Sequence, residues 1–442
     1  MYGKKNSQFG LFDTDTLYCE HTPMKTITLL VSGTRGDILP YLALGHGLKD
    51  AGYTVRIAAP LGFRTLVEQS GLVCAPFEGN PSDLMLDQSD PLTLGRNPLH
   101  SLAATKRFFQ NARILYPRML RTAIEACRGA DLLLYGLPTL WGAHLAEGLR
   151  IPGIRAVLQP LAPTHEFSSA LLPFRFSFGK IGNWLSHWIL LQTTWLSFRS
   201  EINDARQTHL SLPPAHWLDP ALRPFPHQPL TLNGFSERIV PRPTDWNEKQ
   251  VITGYWRLPS PAWTPSPQIE RFIERSPQNT LAIGLGSPGT KDFPFILRLI
   301  AQALDHSDAR AVLTIPARLH AHIQSSRILP VEYIPHEWLY SRVRAAVHHG
   351  GAGTASASLH AGIPAVTLPL AIDQFFWGER IYKIGAGPQP IPQRALTAEK
   401  LANAIQAALW NKSMRERAKS VSAALGLEDG IQAAVRAIEK AG

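Results

Sequence analysis

Short apolar runs alternate with amphipathic stretches along most of the chain, in a regular order. Thr26–Val31 (TITLLV) reads as a buried strand. A polar, glycine-bearing turn follows at Ser32–Asp37, then a helix from about Leu39, with Leu42, Leu44 and Leu48 apolar, that stops at Gly52. Thr54–Ala59 predicts a second strand, Phe63–Ser70 a second helix and Leu72–Phe77 a third strand. The pattern loosens between Asn80 and Leu99 and resumes as a long helix over about Ala104–Cys127. Asp131–Tyr135, Leu140–Leu149 and Gly153–Gln159 then read as strand, helix and strand. This is βαβ spacing, which calls for a parallel sheet with helices on both faces. Ligands of such sheets sit at the carboxyl ends of the strands, where Ser32–Asp37 lies.

From Pro163 to Trp217 the chain is rich in Phe, Trp, Leu and His, including WLSHWILLQTTWL at Trp184–Leu196. That run is too short to span a bilayer. It reads as helical core, with the alternative that part of it walls an apolar pocket or touches a membrane. Pro213–Pro267 is proline-dense, and the interdomain linker is placed near its end. A second α/β array begins at Thr280–Gly286, continues through a helix at Ile296–Leu304 and a strand at Ala311–Ile315, and reaches a strand at Val331–Ile334. Helices follow at Ala398–Leu409, Met414–Leu425 and about Ile431–Lys440. The expected organisation is therefore a leader over 1–23, an amino-terminal domain over 24–240, a linker region over 241–278, a carboxyl-terminal domain over 279–425, and a final helix within 426–442 that could cross back.

One stretch, Ala345–Gln374, holds a nucleotide-binding βαβ unit: AAVHHGGAGTASASLHAGIPAVTLPLAIDQ. A strand at Ala345–Val347 leads through His348 and His349 to Gly350, Gly351 and Gly353. Thr354 opens a small-residue helix that ends at Gly362, and Ala365–Leu370 reads as the next strand. Bare backbone amides at a helix N-terminus suit phosphate. Asp373 and Gln374 follow, an acceptor beside an amide, and such a pair can fork onto neighbouring sugar hydroxyls.

Composition changes the picture little. The 442 residues carry 44 basic and 34 acidic side chains, net +10, which favours anionic partners. No nucleic-acid motif or Lys/Arg run is present, and a phosphorylated donor or an anionic membrane surface holding a lipid substrate fits as well; the charge does not choose. Three cysteines without a paired framework suit a reducing cytoplasm. The first 23 residues are polar, lack the apolar segment of a secretory signal, and are expected to be a disordered leader. Asp13-Thr14-Asp15 within them matches a metal-binding DxD by chance, and His336-Glu337 lacks the second histidine of a zinc helix because Tyr340 stands there.

Two walls of a cleft emerge. One offers Asp37, which can serve as a general base or as the N-cap of the helix after it. The other offers Ser287, His349, the glycines and Asp373-Gln374. His349 with helix-end amides could meet a departing diphosphate. His348 is open to a structural or a functional role. His144, on an amphipathic helix, reads as a satisfied histidine, and His165 is a candidate for lining the acceptor side.

SGTRGDILPYLALGHGLKDAGY, IPHEWLYSRVRAAVHHGGAGT and DQFFWGERIYKIGAGPQPIP resemble the family 1 GT-B glycosyltransferases. They are most like the sterol 3-beta-glucosyltransferase group and its bacterial antibiotic-glycosylating relatives, over roughly Met24–Leu425. The resemblance implies an α/β GT-B fold, with two Rossmann-like domains and parallel sheets facing across a cleft. It also implies inverting, metal-independent transfer from a UDP-sugar, usually UDP-glucose, to a hydrophobic alcohol, with no cofactor. By position Asp37 matches the proposed base. His349, Gly351, Ala352, Gly353 and Thr354 match the phosphate loop, Asp373 and Gln374 the sugar pair, and Ser287 the serine of a GxGS turn. Gly33, Thr34, Arg35, Ile334 and Trp338 join them on the donor side. Many members carry a base histidine after the first strand, and none lies between Ser32 and Asp37 here. Tyr333 stands near the place of the aromatic residue that stacks on uracil, with Trp338 five residues on. A non-transferring binder, or an epimerase or hydrolase of the same fold, is the rival reading.

Overall fold

The computed structural model describes residues 25–80, 98–173, 176–218, 222, 228–259, 263–286 and 293–441. The leader over 1–23 and Ser287 lie outside the described residues. Among those described, two wholly parallel sheets form. The first has the order β3-β2-β1-β4-β5-β6-β7 and the second β10-β9-β8-β11-β12.

The first sheet comprises β1 (Thr26–Leu30), β2 (Thr54–Pro60), β3 (Val73–Phe77), β4 (Leu132–Tyr135), β5 (Gly153–Val157), β6 (Thr231–Asn233) and β7 (Gln250–Ile252). Its helices are α1 (Arg35–Asp50), α2 (Arg64–Gln69), α3 (Pro98–Cys127), α4 (Gly142–Leu149) and α5 (Gly179–His209). β1 carries apolar residues on both faces because both are covered: Ile27 and Leu29 pack with Leu42 and Leu48 of α1, while Leu30 meets Leu120 and Ala123 of α3. Each such side chain contributes about 1.5–3 kcal/mol by leaving water. β7 lies inside the stretch assigned to the linker, so the first sheet extends further along the chain than the proline density suggests.

The second sheet comprises β8 (Thr280–Gly284), β9 (Arg310–Thr314), β10 (Ile328–Val331), β11 (Ala345–His348) and β12 (Ala365–Thr367). It is covered by α6 (Pro267–Glu274), α7 (Phe293–Ser307), α8 (His336–Tyr340), α9 (Ala352–Ala361), α10 (Gln374–Lys383), α11 (Ala398–Trp410) and α12 (Lys412–Leu425). β10 starts three residues before the strand expected at Val331–Ile334. It carries Pro330, which an edge strand tolerates because one side of its backbone needs no partner. Tyr333 and Ile334 therefore fall on the loop beyond the strand's carboxyl end.

The final helix, α13 (Gly430–Glu439), leaves the second sheet and packs Ala434, Val435 and Ile438 into the core of the first, against α1. In each sheet the strand order reverses between two neighbours: β1 and β4 in the first, β8 and β11 in the second. Such switch points open a crevice at the strands' carboxyl ends. The Ser32–Thr34 turn stands at one crevice and the histidine-glycine loop at the other.

Candidate active site

The amino-terminal wall is built on Gly33. Its φ of 122° is a conformation glycine adopts freely, and an added Cβ would collide with the Asp37 carboxylate. Asn80 clamps this turn: its Nδ2 donates to the Gly33 carbonyl (2.8 Å), and its Oδ1 accepts from the Gly33 amide (3.2 Å) and the Ser32 hydroxyl (3.0 Å). The helix begins at Arg35, four residues before the expected Leu39, so Thr34 rather than Asp37 is the N-cap. Asp37 sits in the first turn and reaches back. Its Oδ2 accepts from the Thr34 amide (2.7 Å) and the Thr34 hydroxyl (2.8 Å), the reciprocal arm of a capping box. Burial raises the Asp37 pKa, and the two Thr34 hydrogen bonds oppose that rise.

The opposite wall starts at β11. His348 is fully buried, and its Nδ1 accepts from the Gly350 amide (3.0 Å). Burial, with His349 and His336 nearby, pushes its pKa down to about 3, so it is a neutral pin that folds the loop. His349 is half-buried and its pKa is pushed down to about 4, chiefly by burial, although the Gly284 carbonyl works the other way. At neutral pH this imidazole is uncharged, and its Nδ1 is buried without a partner. A Cβ on Gly351 would strike His349 Nε2, and one on Gly350 would strike the Gln374 backbone, so the loop can close this tightly only as glycine. Gly351 caps α9, whose first-turn amides at Ala352, Gly353 and Thr354 have no partner within the helix. His349 thus adds no positive charge at neutral pH, and these amides carry the electropositive end.

Asp373 and Gln374 are not the end of a strand, since β12 stops at Thr367; they open α10. Gln374 Oε1 is taken by the Leu370 (2.8 Å) and Ala371 (3.2 Å) amides, which leaves its amide nitrogen for a ligand. Asp373 Oδ2 accepts from Trp377 Nε1 (3.0 Å) and, across the cleft, from Gln159 Nε2 (3.1 Å). Burial pushes the Asp373 pKa up to about 6; the nearby Asp37 adds to the rise and the hydrogen bonds oppose it. Two further contacts cross between the walls. Arg257 bonds Glu337 at 2.6 Å, and the Arg35 guanidinium lies over the Tyr333 ring, 5.9 Å from its centroid.

One cavity of about 1480 Å³ joins the two walls. Gly33, Thr34, Arg35, Asp37, Ile334, His349, Gly351, Ala352, Gly353, Thr354, Asp373 and Gln374 all line it. Two expected residues do not. Trp338 packs on Trp263 (5.0 Å between centroids) beneath Arg342, whereas Tyr333 lines the cavity. His165 is exposed outside it, with its backbone amide on Asp245 and its Nδ1 on the Lys180 carbonyl. An apolar annex opens from the Asp37 side, lined by Tyr116, Trp141, Trp195 and Phe198. His144 lies behind it, bonded to Arg206 (2.9 Å) and stacked on Trp195, a satisfied core histidine. Asn80 and Gln159 are among the polar residues the sequence reading missed. Gln159 follows β5 at its carboxyl end, the position where a polar side chain in a parallel sheet merits suspicion. Among the described residues no group of three His, Cys, Asp or Glu side chains could hold a metal ion.

Two Rossmann-like sheets meeting at a shared cleft, one wall bearing a carboxylate and the other a glycine-rich helix start, define a GT-B glycosyltransferase, and the chain belongs to that family. Residues 27–168 match the glycosyltransferase family 28 N-terminal domain, and residues 298–428 the C-terminal domain described as erythromycin biosynthesis protein CIII-like. Among curated proteins the chain is similar to enzymes named sterol 3-beta-glucosyltransferase. It is 32% identical over 425 residues to that enzyme of Aspergillus clavatus, covering 93% of this chain and 29% of the relative. To the Debaryomyces hansenii enzyme it is 33% identical over 430 residues, covering 93% and 26%. The chain thus spans less than a third of the length of these relatives. The fold is shared with the kitacinnamycin glycotransferase (TM-score 0.70, 19% identity, 94% of this chain and 99% of that one). It is shared also with the calicheamicin glycosyltransferase CalG4 (TM-score 0.67, 18% identity, 95% and 98%).

Proposed function

We propose that the protein transfers a sugar, glucose first among the candidates, from a UDP-sugar to the hydroxyl of a lipophilic alcohol, with inversion and without metal. The observation that carries this reading is the single cavity in which Asp37 faces the α9 N-terminus, Asp373 and Gln374. In the proposed displacement the acceptor oxygen attacks the anomeric carbon while Asp37 takes its proton. The bond from that carbon to the diphosphate breaks, and UDP leaves with the electron pair. Both Thr34 hydrogen bonds fall on Asp37 Oδ2, so Oδ1 is the oxygen to receive the proton. The α9 amides, with the neutral His349 imidazole beside them, would meet the departing phosphate as neutral donors. Asp373 and the Gln374 amide nitrogen would hold the sugar, with Tyr333 beside the base. The apolar annex suits a rigid hydrocarbon body, in keeping with the names of the sterol 3-beta-glucosyltransferase relatives.

The test is UDP release from UDP-glucose, followed with and without a panel of hydrophobic alcohols, with products read by mass spectrometry and the anomeric configuration by NMR. Acceleration by an alcohol and a β-glucoside product are expected. Release indifferent to every alcohol would favour a hydrolase, and no release at all a binder.

A further inference from the structure

The sequence reads α5 as helical core, with part of it walling a pocket or touching a membrane, and one of its faces is open. Phe178, Ile181, Trp184, Leu185, Ile189 and Leu196 are exposed, Ile181 by 77%. Their spacing of three, four and seven places them on one stripe. Phe176 extends the stripe ahead of the helix, and Trp217 stands at its far end, its carbonyl bonded by Gln192 and Trp195 side chains. A contiguous apolar surface of this kind on a globular chain marks an interaction site. The other face of the same helix is buried, and there Trp195 and Phe198 line the apolar annex.

Charge selects the partner. From Phe167 to Ser200 the sequence has no Asp or Glu, while it has Arg175, Lys180 and Arg199. Lys180 is exposed in the first turn of α5. Glu166, the acid just before this stretch, is tied to the Thr244 amide and hydroxyl. A seam between two copies of the chain would not call for an acid-free stripe, whereas an anionic lipid surface repels carboxylates and attracts Lys and Arg. No helix among the described residues is long and apolar enough to cross a membrane, so the contact is one that lies on the surface.

We propose that the outer stripe of α5 docks on an anionic phospholipid bilayer, laying the helix in the interface, so that an alcohol dissolved in the membrane reaches the annex lined by the inner face. This rests on the lipophilic-acceptor reading above and adds the surface from which the acceptor arrives.

The full chain and its Ile181→Gln/Ile189→Gln double variant would be floated with vesicles of phosphatidylcholine alone and of phosphatidylcholine mixed with phosphatidylglycerol. Neither residue lines the cavity. The wild type should float with the mixed vesicles, less with phosphatidylcholine alone, and the variant should bind about tenfold less or weaker still. Its melting temperature and its transfer to a detergent-dispersed alcohol should be unchanged, while transfer to the same alcohol embedded in vesicles falls. A wild type that ignores both vesicles, or a variant that floats equally well, overturns the proposal. So does a dimer by analytical ultracentrifugation that the double variant dissociates, since a second copy would then own the stripe. Flotation as expected with no transfer to any alcohol would keep the docking surface and refute the acceptor reading, so the two failures are distinguishable.

Discussion

Replacing Asp37 by Asn separates its two roles. The carboxylate Oδ2 takes both Thr34 hydrogen bonds, and an Asn oxygen in the same place can still accept from the Thr34 amide. At stake in folding is therefore part of one capping interaction, about 0.5–1 kcal/mol, and the melting temperature should shift only slightly. The donor wall lies on the other sheet, so UDP affinity by calorimetry should hold. Proton acceptance, in contrast, is abolished. Loss of a positioned base costs about 10²–10⁴-fold, equivalent to roughly 3–5.5 kcal/mol in the barrier at about 1.36 kcal/mol per decade. Because burial raises the Asp37 pKa, wild-type turnover should fall on the acid side at a higher pH than an ordinary carboxylate would give. The variant should lack that limb. Coupled UDP-release kinetics across pH, with unfolding followed by circular dichroism, measure all three quantities. A variant that retains turnover within about threefold of wild type, or keeps the acid limb, would refute the base assignment. One that unfolds would make Asp37 a structural residue.

His349→Ala should weaken UDP binding by about 1.5–3 kcal/mol, the range for a hydrogen bond to a charged group; because its pKa is near 4, wild-type affinity should show no His349 titration between pH 6 and 8 by calorimetry. Gln159→Leu removes the cross-cleft donor to Asp373 and should lower kcat/KM for the UDP-sugar by about tenfold, while binding of UDP alone is unchanged. Turnover should survive excess EDTA, and loss restored by magnesium or manganese would place a metal in the reaction. Asp373 has a pKa of about 6 in the fold against its ordinary 3.8, so the folded state binds more protons between those values and stability falls as pH rises through that window. Asp373→Asn should flatten that slope in pH-dependent denaturant melts.

The parallel sheets were legible because nearly every strand is covered on both faces and so appears as an uninterrupted apolar run, as in Leu281–Ile283 and Ala345–Val347. Glycine loops flagged the two crevices for a related reason: His349 and Asp37 crowd where a Cβ would sit. What escaped was set by contacts distant in sequence. Gln159 is unremarkable until Asp373 arrives opposite it, 214 residues later. Composition could not separate Tyr333 from Trp338, because the choice depends on where β10 ends, and Pro330 hid that strand. His165 resembled a cleft residue by its place after β5, yet the chain turns there onto the amino end of α5 and presents it to solvent. Apolar content likewise left α5 open between core, pocket wall and outer surface, because hydrophobicity alone does not tell an inner face from an outer one.

The return of α13 to the first sheet fixes how the two lobes are joined. The chain crosses once beyond Gly254 and again just before Gly430, and the two crossings touch. An added Cβ on Gly430 would clash with the Tyr255 carbonyl, and Glu428 bonds the Ser236 hydroxyl at 2.7 Å. Gly254 has a φ of 95°, and Gly430 packs directly against it. The lobes are thus connected by two chain crossings that lie side by side. This sets a rule for building chimaeras. The lobe built on the second sheet is an insertion in the lobe built on the first, so transplanting it needs two splice points, one near Gly254 and one near Gly430. A single-junction fusion would carry the wrong α13, and its side chain at Ile431 would have to fit against a foreign Gly47.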